Sequence, residues 1–414
     1  MKICYYFRHI NDPMGQGVHA RSLVAAWSRD GHTVMCLPRA VKPGAPGRGI
    51  GLGRSVRSLL PAALKHALRQ TYCDFRSELE IGRVRQCVEA AHPDVLIARW
   101  SQFDHTLDRL LGSLPCPFVA EVNSVIHAEM ERILGVRLSP SQRKREIDYL
   151  RGAELLICVS EQLREEVIGS GVDPQRCVVV TNGVNSELFR PDVDGDRGVL
   201  RWAQGSVGNL VAYCGSPSLV HDMPTLLRAA ESVADEVPGS RFLFVGPLQA
   251  DIRPLIRHRP DLAGRILVTG AVPHERVPSL LAPARLLWGA FSGDHVSPLK
   301  VYEYMAMGKP VVVAGAGQAA QIIGLAGCGS SVSRGDHAAP AQAAINTLRL
   351  PEVARQKLGC AGHEWATSNA TWASTAEEMV RVIKEHVLMR MPETAARDGN
   401  VIVAHSDRAM GRRG

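Results

Sequence analysis

The residues of this chain whose types and spacing could do chemistry cluster between Ser297 and Glu303. Ser297 is a good helix N-cap and Pro298 suits the first helical position, so the amides of Leu299 and Lys300 are left free. Free amides at a helix start favour an anion such as phosphate, and Lys300 adds a positive charge. Glu303 lies on the same helical face as Lys300. The segment indicates a phosphate-binding helix start, and an ordinary capped helix with solvated charges is the alternative.

The stretch from Ser297 to Val313 resembles the signature of the retaining, nucleotide-sugar-dependent glycosyltransferases of family 4. These enzymes have the GT-B fold, in which two Rossmann-like domains face each other. In that family the glutamate at the position of Glu303 holds the ribose hydroxyls of the donor. The resemblance therefore implies a donor-binding set that includes Ser297, Leu299, Lys300 and Glu303.

One position of this motif departs from the family. Relatives usually carry a second acidic residue eight positions before the glutamate, close to the sugar, and this chain has His295 there. The sugar-contacting half of the motif is therefore altered, while the ribose-contacting half is intact. The resemblance places His295 and Lys300 in the predicted catalytic set.

A second departure concerns the diphosphate. Many relatives place an Arg directly after the glycine that corresponds to Gly215, and a Lys five residues later, so that two cations clamp the phosphates. This chain has Ser216 and His221 at those positions, and a related branch also carries histidine at the second one. The resemblance implies that Gly215, Ser216 and His221 line the phosphate site. Lys300 must then compensate more of the phosphate charge. The loop of Val272 is implied to bracket the base. The alternative is that His221 is an incidental surface residue.

Candidate residues of the first half of the chain follow its predicted strands. Gly15 and Gly17 form a strand-to-helix turn where backbone amides can approach a ligand, and a simple tight turn is the alternative. By resemblance this loop faces donor and acceptor, with Gly17 on the donor side. Glu121, placed in the catalytic set, stands where many relatives have a histidine beside the reacting sugar. Structural roles are the alternatives for His19, Glu121 and Asn123. The implied acceptor-side residues are Gly15, His19, Arg99 and Asn123.

The chain of 414 residues suits two domains of about 150 to 200 residues each. Short apolar runs alternate with helical stretches, which is typical of parallel sheets covered on both faces. A polar segment from Asp192 to Gly198 separates two series of runs and is the best linker. The predicted strands are 2–7, 32–37, 94–98, 118–122, 155–159 and 177–181 before it, and 210–214, 241–245, 265–268, 286–288 and 310–314 after it.

We therefore predict an α/β protein, and by resemblance one of GT-B architecture with two facing Rossmann-like parallel-sheet domains. The expected parts are an acceptor domain at 1–190, a nucleotide-sugar donor domain at 199–370, a C-terminal helix at about 371–388 that crosses back to the first domain, and a loose tail at 391–414.

The formal net charge of +7 fits an anionic partner. Nucleic acid is not expected, because no nucleic-acid-binding motif occurs and aromatic residues make up only 5% of the chain. Positive charge is dense between Arg39 and Arg85, where basic and apolar residues alternate. That segment could contact an anionic membrane or flank a lipid-phosphate acceptor, and a solvated basic helix is the alternative. The sequence leaves the oligomeric state open.

Cysteine usage and hydropathy give the remaining expectations. Ten cysteines occur without a Cys-x-x-Cys pair, which favours free thiols over disulfides or a zinc site. No Asp-x-Asp follows a strand, so we expect no cofactor and no strict metal requirement. No apolar run approaches the roughly 20 residues that cross a bilayer, and the N-terminus lacks a signal-peptide pattern. We expect a cytoplasmic protein, with peripheral contact at the inner face of the membrane as a further option.

The resemblance predicts a retaining transferase that moves a sugar from a nucleotide diphosphate to a hydroxyl of a polysaccharide, glycolipid or secondary-metabolite acceptor. One alternative is another GT-B enzyme, either a sugar-nucleotide epimerase or a pseudo-glycosyltransferase. The other alternative is a non-catalytic sugar-nucleotide-binding protein. Its basis is that His295 and the missing cation clamp depart from the family pattern.

Overall fold

The structure is a computed structural model that describes residues 1–38, 62–101, 104, 106–135, 137–204, 209–217, 220–293, 297, 299–336 and 338–389. His295, the predicted tail at 391–414 and the part of the basic segment at 39–61 lie outside the described residues. In the described part of the chain, no helix is both long and apolar enough to cross a bilayer.

The first sheet has the strand order β2-β1-β3-β4-β5-β6 and is parallel throughout. Every residue of its fourth and fifth strands is buried, as expected for a parallel sheet with helices on both faces. The strand order reverses between β1 and β3, and the crevice at such a reversal is where α/β sheets bind ligands. The strands are β1 (Lys2–Tyr6), β2 (Thr33–Leu37), β3 (Val95–Arg99), β4 (Phe118–Val122), β5 (Leu155–Cys158) and β6 (Cys177–Val179).

The second sheet has the order β12-β11-β10-β7-β8-β9 and is also parallel. Its order reverses between β7 and β10, so the loops after these two strands meet at one edge. The strands are β7 (Leu210–Cys214), β8 (Arg241–Val245), β9 (Ile266–Val268), β10 (Leu286–Ala290), β11 (Val311–Ala314) and β12 (Gly329–Val332).

Helices cover both faces of each sheet. Those preceding the second sheet are α1 (Gly15–Arg29), α2 (Ala62–Ala91), α3 (Ile126–Leu134), α4 (Pro140–Gly152), α5 (Glu161–Gly169) and α6 (Arg197–Trp202). Those that follow are α7 (Met223–Glu236), α8 (Gln249–His258), α9 (Val277–Leu281), α10 (Leu299–Ala306), α11 (Gly317–Ala326), α12 (Ala339–Arg349), α13 (Glu352–Asn369) and α14 (Trp372–Ile383).

All the strands predicted from the sequence are present, with ends that differ by no more than two residues. The prediction missed β12, whose residues Gly329–Val332 include a single large apolar side chain. This strand pairs with β11 at a glycine, since a Cβ on Gly329 would lie 1.8 Å from the carbonyl oxygen of Val311. A polar edge strand of this kind leaves no apolar run in the sequence.

The last helix returns to the first sheet, as predicted. Trp372 and Met379 of α14 lie in the same buried cluster as Ile97 of β3. The indole Nε1 of Trp27 in α1 donates to the carbonyl oxygen of Ala376 at 3.2 Å. Two parallel-sheet domains and this crossing helix confirm the predicted fold class.

The predicted linker is tied to the second sheet's domain. Helix α6 begins at Arg197, inside the segment predicted as linker, because the Asp196 carboxylate accepts from the amides of Gly198 and Val199. Arg276 also contacts Asp196 at 3.0 Å. The boundaries at 190 and 199 stay predictions.

Candidate donor and acceptor site

The start of helix α10 lies at the boundary between the two domains. Leu299, its first residue, packs against the buried cluster of the first domain. Two residues earlier, the hydroxyl oxygen of Ser297 accepts a hydrogen bond from Asn182 Nδ2 at 2.8 Å. A Cβ on Gly15 would lie 3.8 Å from Leu299 Cδ1, so the glycine loop of the first domain adjoins this helix as well. The helix start predicted to bind phosphate therefore faces the first domain.

Lys300 is buried beside two aromatic rings. Its Nζ donates to Tyr213 Oη at 3.0 Å and contacts His221 Nε2 at 3.1 Å. The ammonium also lies 4.3 Å from the centroid of the Tyr213 ring and 5.7 Å from that of Phe291. These neutral groups hold the ammonium in a fixed place at the carboxyl end of β7.

Lys300 forms no ion pair with a carboxylate among the described residues. Burial lowers the pKa of the Lys300 ammonium to about 8, and the nearby Glu303 offsets only part of that effect. A buried cation without a counter-anion is costly unless a ligand supplies the negative charge. The environment of Lys300 would therefore favour a bound anion.

His221 is engaged through both ring nitrogens. Its Nδ1 lies 3.1 Å from the carbonyl oxygen of Ser216, and its Nε2 lies 3.1 Å from Lys300 Nζ. The arrangement requires a neutral ring that donates from Nδ1 and accepts at Nε2. Burial and the charge of Lys300 lower the pKa of His221 to about 3. Both ring nitrogens of His221 are thus engaged, so any effect of this residue on a phosphate would pass through Lys300.

Three glycines bring the loops after β7, β8 and β9 together. Gly246 and Gly270 form a bridge, and a Cβ on Gly246 would lie 1.9 Å from the carbonyl oxygen of Gly215. A Cβ on Gly215 would lie 2.7 Å from Lys300 Nζ. Val272, predicted to bracket the base, packs its side chain against the core of the second domain. Any contact of this loop with a base would therefore come from its backbone.

Glu303 is paired with His274, which follows Val272 in the predicted base-bracketing loop but was not among the predicted site residues. Its Oε1 lies 2.7 Å from His274 Nε2, and the imidazole packs against Phe189 with 5.2 Å between ring centroids. Burial disfavours the charged imidazole, but the Glu303 carboxylate outweighs it and raises the pKa of His274. Glu303 and Lys300 lie one helical turn apart, so a cation and a carboxylate face the same region.

Glu121 is the centre of a buried polar cluster in the first domain. Its carboxylate contacts His19 Nε2 at 2.6 Å and accepts from Tyr5 Oη at 2.7 Å and from Asn123 Nδ2 at 2.8 Å. Burial alone would raise the pKa of Glu121, but His19, Arg99 and Tyr5 together lower it to about 2. Because only 2% of Glu121 is exposed, the direct contact with a reacting sugar that the resemblance implied is not available in this structure.

The remaining candidate residues of the first domain are Arg99, His19 and Gly17. Arg99 is the register partner of Glu121 on the neighbouring strand, with its guanidinium 4.9 Å from the Phe7 ring and Nη1 3.9 Å from Glu121 Oε1. His19 is buried and its ring lies 4.9 Å from that of Trp372. A Cβ on Gly17 would sit 2.0 Å from a backbone oxygen of the same loop, so this glycine is required by the turn itself.

Asn182 links the two groups of residues. It binds Ser297 of the donor side, and it also adjoins His19. Burial lowers the pKa of His19, and the Asn182 side chain opposes part of that effect. In the sequence Asn182 precedes a glycine and indicates only a turn, and no local pattern marks it as an interdomain contact. The described residues contain no group of three His, Cys, Asp or Glu side chains placed to hold a metal ion.

Together, the fold and the site define a protein of two Rossmann-like domains with a buried lysine near the helix start at their boundary. Two family models match the chain in succession, Glycosyltransferase Family 4 over residues 13–188 and Glycosyl transferases group 1 over residues 208–349. The protein is therefore a glycosyltransferase, and it belongs to the family 4 type with the GT-B fold. The family predicted from the sequence motifs is confirmed.

Solved structures show the same architecture. HepE of Anabaena in complex with UDP-glucose is 17% identical with a TM-score of 0.69, over 93% of this chain and 100% of HepE. Sucrose-phosphate synthase from Thermosynechococcus elongatus is 17% identical with a TM-score of 0.73, over 94% of this chain and 100% of that one. At this level of identity the likeness establishes the fold.

One curated relative matches a shorter stretch. A component of the phosphatidylinositol N-acetylglucosaminyltransferase of Arabidopsis thaliana is 29% identical over 132 residues. The match spans 31% of this chain and 28% of that relative.

Proposed function

We propose that this glycosyltransferase moves a sugar from a nucleoside-diphosphate donor to an acceptor hydroxyl and retains the anomeric configuration. The observation that carries the proposal is the buried ammonium of Lys300, which has no ion pair among the described residues and lies at the start of α10. Glu303, one turn further along, is available for hydroxyl groups of a ribose. HepE, with the same fold, was solved with UDP-glucose, which supports a nucleotide-sugar donor.

The proposed reaction breaks the bond between the anomeric carbon and the diphosphate oxygen. The acceptor oxygen bonds to the same face of that carbon, and its proton passes to the leaving phosphate oxygen. The transition state resembles an oxocarbenium ion, while negative charge grows on the diphosphate. Lys300 and the free amides of α10 would stabilise that charge. Glu121, being buried and held by three donors, would position His19 and Asn123 without attacking the sugar.

The acceptor would approach from the first domain, along the carboxyl ends of β3 and β4. Arg99 ends β3, Asn123 directly follows β4, and Gly15 adjoins the donor helix. A polysaccharide, a glycolipid or a secondary metabolite would each present the hydroxyl that the reaction needs. Transfer without a strict divalent metal is part of the proposal, because Lys300 supplies a cation for the leaving group.

We also propose peripheral contact with an anionic membrane through the segment between Arg39 and Arg85. Residues 39–73 contain seven Lys or Arg and no Asp or Glu. Shortly after them, beyond Asp74, the side chains of Phe75 and Leu79 in α2 are exposed by 62% and 61%. Co-sedimentation with phosphatidylglycerol vesicles, but not with phosphatidylcholine vesicles, is expected, and Phe75→Ser with Leu79→Ser should weaken it. Equal recovery with both lipids would contradict the contact.

A donor screen tests the proposed reaction. Thermal unfolding is measured with UDP, GDP, ADP and the corresponding nucleotide sugars, since a ligand at 100 times its Kd stabilises by about 3 kcal/mol. The best donor is then incubated with an acceptor panel, and NMR compares the anomeric configuration of donor and product. Stabilisation by one nucleoside diphosphate and a product of retained configuration are expected.

Other outcomes of this screen would overturn parts of the proposal. Absence of stabilisation by every nucleoside diphosphate would contradict the donor class, and an inverted product would contradict retention. Conversion of the nucleotide sugar without an acceptor would instead indicate an epimerase.

A further inference from the structure

The partner of Glu303 in this site is His274, from a different part of the second domain. His274 opens the short turn His274–Arg276 after β9, whereas Glu303 lies in the middle of α10. Their contact joins Nε2 and Oε1 at 2.7 Å. Within the described part of the chain no donor is bound to the other carboxylate oxygen, Oε2, and 13% of the Glu303 side chain is exposed. One oxygen is therefore held by the protein and the other is available to a ligand.

The imidazole that holds Glu303 is itself fixed. Its ring packs against Phe189 at 5.2 Å between centroids, and Phe189 is fully buried. Phe189 in turn lies in the same cluster as Tyr302 and Tyr304 of α10. The ring plane of His274 is thus set by a packed aromatic residue, and its Nε2 by the carboxylate.

Charged groups from three elements face this imidazole. They are Glu303 of α10, Glu275 of the same turn and Arg21 of α1 in the first domain. Burial and Arg21 disfavour the imidazolium, but the two carboxylates outweigh them, and the pKa of His274 is raised. When His274 is protonated, the contact is a charge-assisted hydrogen bond, which is stronger and more directional than a neutral one.

We propose that His274 is a positioning residue that orients the Glu303 carboxylate for the ribose hydroxyls of the donor and thereby determines selectivity for ribonucleotides. The inference rests on the proposed function, because it takes the donor to be a nucleoside diphosphate. A free carboxylate on a helix surface samples several rotamers, and ordering it on binding costs affinity. With Oε1 held by His274, Oε2 is already placed when the ribose arrives. A 2′-deoxyribose lacks the 2′-hydroxyl, so it gains less affinity from a carboxylate that is already in place.

Calorimetric titration tests the proposal with two probes, UDP and 2′-deoxy-UDP, or the same pair with the base that binds best. The variants are His274→Phe, which keeps the ring packing, and His274→Gln, which keeps a hydrogen-bond donor. His258→Gln, at the exposed end of α8, is the matched control. For His274→Phe we expect the affinity for the ribonucleotide to fall about fivefold, as for one lost hydrogen bond, and that for the deoxyribonucleotide to stay within about twofold. His274→Gln should recover most of the difference.

The pH profile supplies a second readout that loss of packing would not change. In the unaltered protein, selectivity for the ribonucleotide should decrease as pH rises through the pKa of His274, because the neutral ring holds the carboxylate less strongly. In His274→Gln the selectivity should not vary over the same pH range. This pH profile still tests the role of His274 if the His274→Phe variant does not fold.

The possible failures are distinguishable. If the unaltered protein binds no nucleoside diphosphate, the proposed function is wrong. If it binds and prefers ribonucleotides, but His274→Phe weakens both probes equally or neither, the role of His274 is wrong. A selectivity that is independent of pH in the unaltered protein would also overturn that role.

Discussion

At the scale of single residues, the buried charge of Lys300 lowers the stability of the free protein but would raise its affinity for an anion. A pKa lowered from 10.5 to about 8 corresponds to a penalty of about 3 kcal/mol for keeping the ammonium charged at neutral pH. Residues at functional sites often reduce the stability of the free protein in this way. An anionic ligand would remove the penalty, so the same charge that destabilises the free protein contributes to affinity.

Replacement of this lysine should therefore stabilise the free protein. For Lys300→Met we expect a net gain of about 1 to 2 kcal/mol, because the penalty exceeds the cost of the lost hydrogen bonds. Calorimetric melting without ligand measures the effect, and Lys357→Met, at an exposed position of α13, is the control. A lower melting temperature for Lys300→Met than for the control would show that the buried charge does not destabilise the free protein.

Binding of a nucleoside diphosphate should depend on pH through Lys300. The folded pKa is below the unfolded value, so between about pH 8 and 10.5 the free folded protein has lost a proton that the unfolded chain keeps. Stability of the free protein rises with pH in this window. Affinity for the anion falls over the same window, by up to about tenfold per pH unit, because binding then requires uptake of a proton. Titrations at several pH values measure this, and an affinity that decreases equally in Lys300→Met would assign it to another group.

At the scale of elements, the loops after β7, β8 and β9 place the ammonium. Their glycines allow backbone contact that side chains would prevent. A Cβ on Gly215 would lie 2.4 Å from Tyr213 Oη and 2.7 Å from Lys300 Nζ, so a methyl group there must displace both. The loop is thus built around the position of the ammonium as well as around the turn.

Gly215→Ala should weaken nucleotide binding more than it weakens folding. We expect an affinity loss of about tenfold, comparable to the loss of one charge-assisted hydrogen bond. Gly264→Ala is the matched control, since a Cβ there meets nothing within 4 Å. Affinity and melting temperature are measured for both variants. Unchanged affinity in a folded Gly215→Ala protein would mean that the loop does not set the position of Lys300.

Sequence pattern predicted the elements better than the contacts between them. Buried parallel strands such as β4 leave continuous apolar runs, and the helix start at Leu299 follows a capping residue and a proline. The polar edge strand β12 leaves no such run. The pairing of His274 with Glu303 joins residues 29 apart in the chain, and local periodicity cannot indicate it.

At the scale of the whole molecule, side-chain hydrogen bonds between described residues join the domains near the cleft. Asn182 Nδ2 donates to Ser297 Oγ at 2.8 Å, and Gln318 Nε2 of α11 donates to the carbonyl oxygen of Val159 at 2.7 Å. Each bond connects residues more than a hundred positions apart. The motifs therefore predicted the family and the two domains, but contacts of this kind depend on how the domains face each other.

Removal of the Asn182 and Gln318 side-chain bonds should loosen the contact between the two domains. For Asn182→Ala combined with Gln318→Ala we expect a larger radius of gyration in small-angle X-ray scattering without ligand, and a smaller difference after a nucleoside diphosphate is added. Asn346→Ala, which removes a pairing with Gln342 within α12, is the control. An unchanged radius in the double variant would show that other contacts hold the domains together.

The most direct test of the role of Lys300 is the affinity of one nucleoside diphosphate for the unaltered protein and for Lys300→Met, measured by calorimetric titration near pH 7. We expect at least a tenfold loss in Lys300→Met, because a charge-assisted contact with phosphate contributes roughly 1.5 to 3 kcal/mol. Equal affinities in two folded proteins would contradict this role, because the buried ammonium would then not be the group that holds the donor.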